Sequence, residues 1–423
     1  MTDTQKRLYR AEGPVPVGYK DTPIGFLPNE WDYASLGDLS VELTETAGQR
    51  TYETVSISAG IGFVNQAEKF GKELSGKQYE KYIVLHKGDF SYNKGNSNRY
   101  PQGCIYRLND REEAAVPNVF ESFRIVKGCP EYYEQLFISG FLNHQLFRLI
   151  NHGVRDDGLL NLTGADFYSC LLPVPPLREQ EKIVDILSTF DSIIDQYDEK
   201  TEQYWKLKKY LLDKLFPKES AVVPEIRFPG FTDAWEKRML GELYTERNER
   251  GNELLQILSV SIHSGVSDGE LDASSLGKVV QRSDDKSTYK HVYKGDLVFN
   301  MMRAWQGAIG VVKTEGMISP AYISAIPSDE IYPLFMNYLL RRNDTINQIN
   351  NFSYGVTDFR KRLYWDSFIR VTCRIPSVKE QQYITSIFEH LDNLITLHQR
   401  EAEAWKTKKK ALAQLLLTGI VRV

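Results

Sequence analysis

The stretch Pro-Pro-Leu-Arg-Glu-Gln-Glu-Lys-Ile at residues 175–183 decides the fold, because the chain contains it twice. A degenerate copy, Pro-Ser-Val-Lys-Glu-Gln-Gln-Tyr-Ile, stands at residues 376–384. Similarity runs on from the two copies without a gap as far as Phe216 and Leu417. The chain is therefore a duplication of one unit, and two similar halves predict a pseudo-two-fold molecule.

Apolar residues follow each copy at alternating spacings of four and three, which is the heptad pattern of a coiled coil. A helix of about 40 residues is roughly 60 Å long, too long for an ordinary domain core. Core packing in a helical bundle is the alternative explanation. We expect the two helices to pair antiparallel within the chain, with acidic first halves against basic last turns. The predicted seam consists of Ile183, Leu187, Phe190, Ile194, Leu211 and Leu215 in the first helix and Ile384, Phe388, Leu391, Ile395, Leu412 and Leu416 in the second.

The regions before the helices repeat more weakly. A Lys-Gly-Asp turn recurs at residues 87–89 and 294–296, and short β-branched and aromatic runs predict strands mixed with some helices. The predicted fold class is α+β, with two similar globular domains separated by two long antiparallel helices that form an intramolecular coiled coil. The predicted limits are 1–174 for the first domain, 175–216 for the central helix, 217–229 for a linker, 230–375 for the second domain and 376–423 for the C-terminal helix.

Composition is that of an ordinary soluble protein, with 42% hydrophobic and 26% charged residues in a chain of 423. No apolar run is long enough for a membrane helix and no signal peptide is evident, so we expect a cytoplasmic protein. The four cysteines are scattered, which fits a reducing compartment. The net charge of −4 counts mildly against a nucleic-acid partner.

Common catalytic and cofactor motifs are absent from the sequence. It has no phosphate-binding G-x-x-x-x-G-K-[ST] loop, dinucleotide fingerprint, H-E-x-x-H or G-x-S-x-G. The seven histidines form no cluster with the spacing of metal ligands. We therefore expect no catalytic, cofactor-binding or metal-binding residues in this chain.

Two pairs of polar loops occupy equivalent places in the halves, and each loop alone could be ordinary solvated surface. Arginine pairs with guanine, asparagine and glutamine with adenine, and lysine reaches phosphates. Similar scaffolds that display different side chains favour recognition of DNA. The candidates in the first half are Lys94, Asn96, Asn98, Arg99, Tyr100, Gln102 and Arg155, and those in the second are Asn300, Arg303, Trp305, Gln306, Thr357, Arg360, Lys361 and Arg362.

The repeated proline-Glu-Gln-Ile motif resembles that of the specificity subunit of type I restriction–modification systems, and the resemblance covers essentially the whole chain. It implies that each domain reads one half of a bipartite target in double-stranded DNA. The paired helices would set the spacer and dock two modification (methyltransferase) subunits.

The resemblance also implies that restriction (translocase/nuclease) subunits join the complex. Catalysis, S-adenosylmethionine, ATP and Mg²⁺ would then belong to the partner subunits and none to this chain. Two alternatives remain at this point. One is a coiled-coil adaptor that binds proteins without DNA specificity, which the acidic pI slightly favours, and the other is an enzyme with dispersed catalytic residues.

Overall fold

The protein is represented by a computed structural model, which describes residues 13–71, 76–95, 100–150, 160–218, 221–252, 254–269, 288–355 and 360–423. The chain divides into two compact units. The first unit is formed by Met1–Tyr197 and Arg400–Val423, and the second by Asp198–Gln399. Each unit therefore combines a globular domain with a part of both long helices. The domain limits given above stay predictions.

Short antiparallel strands form the sheets of the first unit. In chain order they are β1 (Tyr19–Thr22), β2 (Gly25–Pro28), β3 (Asp32–Ser35), β4 (Ser40–Glu42), β5 (Val55–Ser58), β6 (Gly62–Asn65), β7 (Ile83–His86), β8 (Phe90–Asn93), β9 (Cys104–Arg107), β10 (Glu113–Val116), β11 (Glu121–Ile125) and β12 (Leu171–Val174). The central sheet has the order β4-β11-β8-β9, and its pairs are antiparallel. The two-stranded pairs are β1-β2, β3-β12, β5-β6 and β7-β10.

The helices of the first unit pack an aromatic core against this sheet. They are α1 (Leu36–Leu39), α2 (Gln66–Phe70), α3 (Pro130–Ile138), α4 (Asn143–Leu149), α5 (Gly164–Tyr168) and the first part of α6 (Leu177–Lys214), with a 3₁₀ turn at Gly76–Lys81. The ring of Phe90 stacks on that of Phe123 at 5.4 Å, and Tyr92 stacks on Phe167 at 4.6 Å. These buried rings pack β8 and β11 against α5. Aromatic side chains bury the most apolar surface per residue, so this contact stabilises the unit.

The second unit repeats this topology with different side chains. Its strands are β13 (Glu236–Met239), β14 (Tyr244–Arg247), β15 (Val260–Ser261), β16 (Gly265–Val266), β17 (Lys290–Val292), β18 (Leu297–Asn300), β19 (Ile309–Val311), β20 (Gly316–Ile318), β21 (Tyr322–Pro327) and β22 (Thr372–Ile375). Its helices are α7 (Leu240–Leu243), α8 (Pro333–Leu339), α9 (Asn343–Phe352), α10 (Trp365–Phe368) and the first part of α11 (Val378–Leu417), with a 3₁₀ turn at Ala304–Gln306. The last part of α6 also belongs to this unit, and the last part of α11 belongs to the first unit. The central sheet has the order β14-β21-β18-β19, which matches β4-β11-β8-β9 strand for strand. The duplication and the α+β class are confirmed.

The two long helices pair antiparallel inside each unit, as predicted. In the first unit the ammonium of Lys409 donates to both carboxylate oxygens of Asp191, at 2.7 and 2.6 Å. In the second unit the ammonium of Lys208 donates to the carboxylate of Asp392. Late residues of each helix thus meet early residues of the other, and the predicted match of acidic and basic segments is confirmed. At 1.5 Å per residue, the 38 residues of α6 extend over about 57 Å.

The predicted seam lies where the helices meet each other and the domains. Most of its members are buried, namely Ile183, Leu187, Ile194, Leu215, Ile384, Phe388, Leu391, Ile395 and Leu416. Phe190, Leu211 and Leu412 are half-buried. The Phe190 ring lies 5.5 Å from that of Trp405.

The glutamate of the repeated motif fastens the start of each long helix to the segment that follows the end of the other. In the first unit the guanidinium of Arg422 donates to the Glu179 carboxylate at 2.6 and 2.8 Å, and the Trp31 indole adds a third bond at 2.9 Å. In the second unit Arg227 makes the same bidentate pair with Glu380, at 2.9 and 2.8 Å. Glu179 is 6% exposed and Glu380 only 1%. Burial alone would raise the pKa of Glu179, but the bonds from Arg422 and Trp31 outweigh it and lower that pKa.

The adjacent glutamine ties each long helix to the first helix after the central sheet. The Oε1 atom of Gln180 accepts from the N–H of Cys129, the residue before α3, at 2.8 Å. Gln381 repeats this bond with Tyr332, the residue before α8, also at 2.8 Å. Each amide Nε2 donates to the carbonyl of the proline five residues earlier. The Glu-Gln pair of the motif therefore has a structural role, because both side chains are bonded inside the domain.

Replacement of Arg227 by alanine is expected to destabilise the protein more than replacement of Arg422. Loss of Arg227 leaves the carboxylate of Glu380 buried without its partner, which costs roughly 3–5 kcal/mol. Glu179 keeps the bond from Trp31, and Arg422 is more exposed than Arg227, so we expect about 2 kcal/mol there. Urea unfolding measures both. The exposed Lys379→Ala is the control, and equal losses for the two arginines would contradict the expectation.

Candidate functional site

The Lys-Gly-Asp turns fix one end of the central strand in each domain. Asp89, which is fully buried, accepts a bidentate pair from Arg124 at 2.6 and 2.9 Å. Asp296 accepts the same pair from Arg247 at 2.7 and 3.1 Å. The hydrogen bond that Arg124 donates to Asp89 is the main cause of a raised pKa of Arg124, so this guanidinium stays charged. Arg124 lies on β11 but Arg247 on β14, which are not equivalent strands. The sequence analysis did not identify these arginines.

The opposite end of the same strand carries the first candidate loop, which spans residues 93–102 in the first domain and 300–307 in the second. The Oδ1 atom of Asn93 accepts from the N–H of Gly95 at 2.8 Å, and Asn300 accepts from the N–H of Met302 at 3.0 Å. Asn300 is only 9% exposed. Its side chain therefore shapes the loop. From the sequence alone, this structural role could not be distinguished from direct contact with DNA.

In both domains one backbone hydrogen bond joins the first candidate loop to a leucine just after the second candidate loop, which spans residues 151–157 in the first domain and 354–362 in the second. The N–H of Leu160 donates to the carbonyl of Lys94 at 2.9 Å, and the N–H of Leu363 donates to the carbonyl of Met301 at 2.9 Å. The sequence placed these loops far apart along the chain and did not predict that they meet. In the second domain, this approach makes one surface from the described residues of two separate segments.

In the first domain, part of this surface lies outside the described residues. Asn96, Asn98, Arg99 and Arg155 fall there, as does Thr357 of the second domain. The Lys94 ammonium donates to Glu121 at 2.7 Å, and both side chains are largely covered, so this charge is engaged inside the domain. Tyr100 and Gln102 are half-buried, and the Gln102 carbonyl accepts from the Tyr92 hydroxyl at 2.8 Å.

The first loop of the second domain is a rigid turn. The Arg303 N–H donates to the Asn300 carbonyl at 3.0 Å, and the Gln306 N–H donates to the Arg303 carbonyl at 3.0 Å. The Trp305 indole donates to the Met302 carbonyl at 3.0 Å. Gly307 closes the turn with φ 101°, a conformation that favours glycine. The side chains of Arg303 and Gln306 are exposed on this fixed backbone.

The second loop of this domain is anchored at its base. Tyr354 and Arg362 exchange two backbone hydrogen bonds, at 3.1 and 3.0 Å. The ammonium of Lys361 lies 5.8 Å from the centre of the Trp305 ring, so the two loops also touch through side chains. We call the combined face the basic–aromatic surface, and it consists of Met302, Arg303, Trp305, Gln306, Tyr354, Arg360, Lys361 and Arg362.

The charge of the basic–aromatic surface depends on whether its arginines have acidic partners. Within the described ranges, no carboxylate forms an ion pair with Arg303, Arg360 or Arg362, and all three are exposed. Such a surface attracts anions, because its charges lie within a Debye length of one another. Guanidinium groups and aromatic rings on rigid loops suit contact with phosphates and base edges.

Two further findings concern metal binding and membrane-spanning helices. In the part of the chain that the structure describes, no group of His, Cys, Asp and Glu side chains is placed to hold a metal ion. Over the same residues, no helix has the length and the apolar character needed to cross a membrane.

Known proteins resemble this chain in sequence and fold. The family model for the type I restriction modification DNA specificity domain matches residues 28–203. The type I restriction enzyme MjaVIII specificity subunit of Methanocaldococcus jannaschii is 26% identical, over 61% of this chain and 63% of its own length. The putative MjaX specificity subunit of the same organism is 22% identical over 96% of this chain and 97% of its own.

Solved structures share the fold. The S subunit of a type I restriction–modification system from M. genitalium matches with a TM-score of 0.54 and 15% identity, over 93% of this chain and 98% of its own. A chain from a study of complex assembly and conformational transition in the type I R-M system matches with a TM-score of 0.52 and 16% identity, over 92% and 98%.

Gly307→Ala tests the rigidity of the first loop. Alanine is strained at φ 101°, and we expect the variant to lose roughly 1–3 kcal/mol of folding free energy. Thermal unfolding of the purified protein measures the loss. Gln306→Ala, on the neighbouring exposed side chain, is the matched control and should change stability by less than about 0.5 kcal/mol. A Gly307→Ala protein as stable as the control would show that the turn is not held as described.

Proposed function

We propose that the chain is a type I restriction–modification specificity protein and that it selects the DNA sequence on which a type I complex acts. One observation carries the proposal. In two domains whose central sheets have the same strand order, the same backbone hydrogen bond joins the first loop to a leucine just after the second, yet the loops differ in sequence. To read two different half-sites, a protein needs the same scaffold twice with different side chains at the equivalent place.

In the second domain, we assign a role to each loop residue from the rigidity and the position of its loop. Arg303 and Gln306 stand on the fixed turn, so they read base edges in the second half-site. Arg360 and Arg362 flank the other loop and contact phosphates. Asn300, Trp305 and Lys361 hold this surface in shape through the contacts described above. Lys94 is paired with Glu121, so the corresponding readers in the first domain are the remaining candidates, Asn96, Asn98, Arg99, Tyr100, Gln102 and Arg155.

The rest of the proposal concerns the complex. The target is bipartite double-stranded DNA in the cytoplasm, and the long helices set the spacer between its halves. Two modification subunits dock on the helices, and restriction subunits join them. This chain is not itself an enzyme; catalysis with S-adenosylmethionine, ATP and Mg²⁺ belongs to those partners. Exposed arginines also suit protein interfaces, so the domain exchange described next is what separates DNA recognition from an adaptor that binds only proteins.

Exchange of residues 230–375 for the equivalent domain of a relative tests the proposal. In cells that carry the complete system, we expect the methylated sequence to change in one half only, because each domain reads its half independently. Sequencing of methylated adenines across the genome measures this. The reciprocal exchange of residues 1–174 should change the other half. A changed spacer or two changed halves after either exchange would contradict the modular proposal, and an unchanged target would favour the adaptor.

Arg303→Ala separates base reading from phosphate contact. We expect a loss of roughly 1–3 kcal/mol that is confined to one base pair of the second half-site, because a bidentate contact to guanine disappears. Arg360→Ala should weaken all sequences equally and lower the salt dependence of binding by about one unit of slope. Binding to duplexes with single base changes measures both. Lys294→Ala, at the opposite end of β18, is the control; a uniform loss for Arg303→Ala would make it a phosphate contact.

A further inference from the structure

Tyr354 is an aromatic side chain that the roles above do not use. Its side chain is 55% exposed, and Met302 on the neighbouring loop is 45% exposed. In the described part of the second unit, the other exposed aromatic side chains of similar size, Trp205, Tyr210 and Tyr383, lie on the long helices. Tyr354 is thus the exposed ring of the basic–aromatic surface itself.

The local structure holds this ring in place before any ligand arrives. The Tyr354 backbone is paired with Arg362 on both sides, and its ring packs 5.1 Å from that of Tyr364 at an angle of 31°. Gly355 is needed beside it, because a Cβ there would lie 2.3 Å from the carbonyl oxygen of Arg360. A ring fixed in this way loses little conformational entropy on binding.

The surroundings of the ring indicate what it contacts. Backbone pairing places Arg362 directly beside Tyr354, and the bond from Leu363 to Met301 brings the turn that bears Arg303 next to them. A tyrosine phenol is protonated at neutral pH, so the ring of Tyr354 carries no charge. A flat neutral group between cations matches duplex DNA, in which stacked bases lie between two rows of phosphates.

We infer that Tyr354 is a wedge that stacks on a base of the second half-site and partly opens one base step, with Tyr364 as its support. The inference rests on the proposed function and adds to it a readout of DNA deformability. Apolar side chains that enter a base step kink the duplex, and the cost of opening depends on which step is opened. Tyr354 would thus contribute specificity at a step where it makes no hydrogen bond to a base.

The test uses the full chain assembled with its modification subunits and a duplex with the target sequence, labelled at both ends for energy transfer. Wild-type complex is expected to shorten the end-to-end distance. Tyr354→Ala should bind roughly five- to hundred-fold more weakly and leave the duplex straighter, because stacking on a base is lost. Tyr354→Phe should keep both properties, and Tyr364→Ala should lose part of the bend. Tyr33→Ala, an exposed tyrosine of the first unit, is the matched control.

The outcomes separate the two ideas. Specific binding with the same affinity and bend in Tyr354→Ala as in wild type overturns the wedge and leaves the proposed function intact. A wild-type complex that binds target and non-target duplexes equally overturns both. If Tyr354→Ala instead fails to assemble with the modification subunits while Tyr354→Phe assembles, the ring belongs to a protein interface and the wedge is wrong.

Discussion

Two buried carboxylate–guanidinium pairs, Glu179 with Arg422 and Glu380 with Arg227, are the constraint on which the rest of the structure depends. Each pair joins the first turn of one long helix to the segment that follows the other. A buried carboxylate that loses its partner is costly, so these pairs allow only one antiparallel register of the helices. The heptad seam supplies apolar burial, but a seam alone tolerates a shift by one heptad. The charged pairs exclude that shift, and so fix where each domain starts relative to its helices.

The same principle operates inside the domains, where one end of the central strand is fixed and the other is free to vary. A buried aspartate is held by an arginine in both halves, yet Arg124 and Arg247 come from different strands. The carboxylate needs a bidentate partner, and any neighbouring strand that offers one satisfies it. Because stability is secured at that end, the loop at the other end can change its side chains without loss of the fold. The central strand therefore secures the fold at one end and carries the variable loop at the other.

The repeated helices, their antiparallel pairing and the α+β class could be predicted because they rest on local periodicity and on similarity between the halves. Contacts between residues that lie far apart in the sequence could not be predicted. Lys94 looked like a free cation in sequence, but Glu121 lies beside it once β8 and β11 pair. Asn300 has the side chain of a base reader and caps its own loop instead. The meeting of the two loops depends on one backbone bond, such as that from Leu363 to Met301, which leaves no trace in residue type.

The net charge of the chain does not describe the charge of the basic–aromatic surface. The chain carries 56 acidic and 52 basic residues, a balance that disfavours DNA when it is read as a total. Within each unit, however, carboxylates such as Asp191 and Asp392 are paired with lysines of the opposite helix, and their fields are cancelled at short range. Arg303, Arg360 and Arg362 have no such partner in the described ranges, so their field persists beyond the surface. An acidic protein thus presents a basic face, because the potential that a ligand meets is set by unpaired charges and not by the sum.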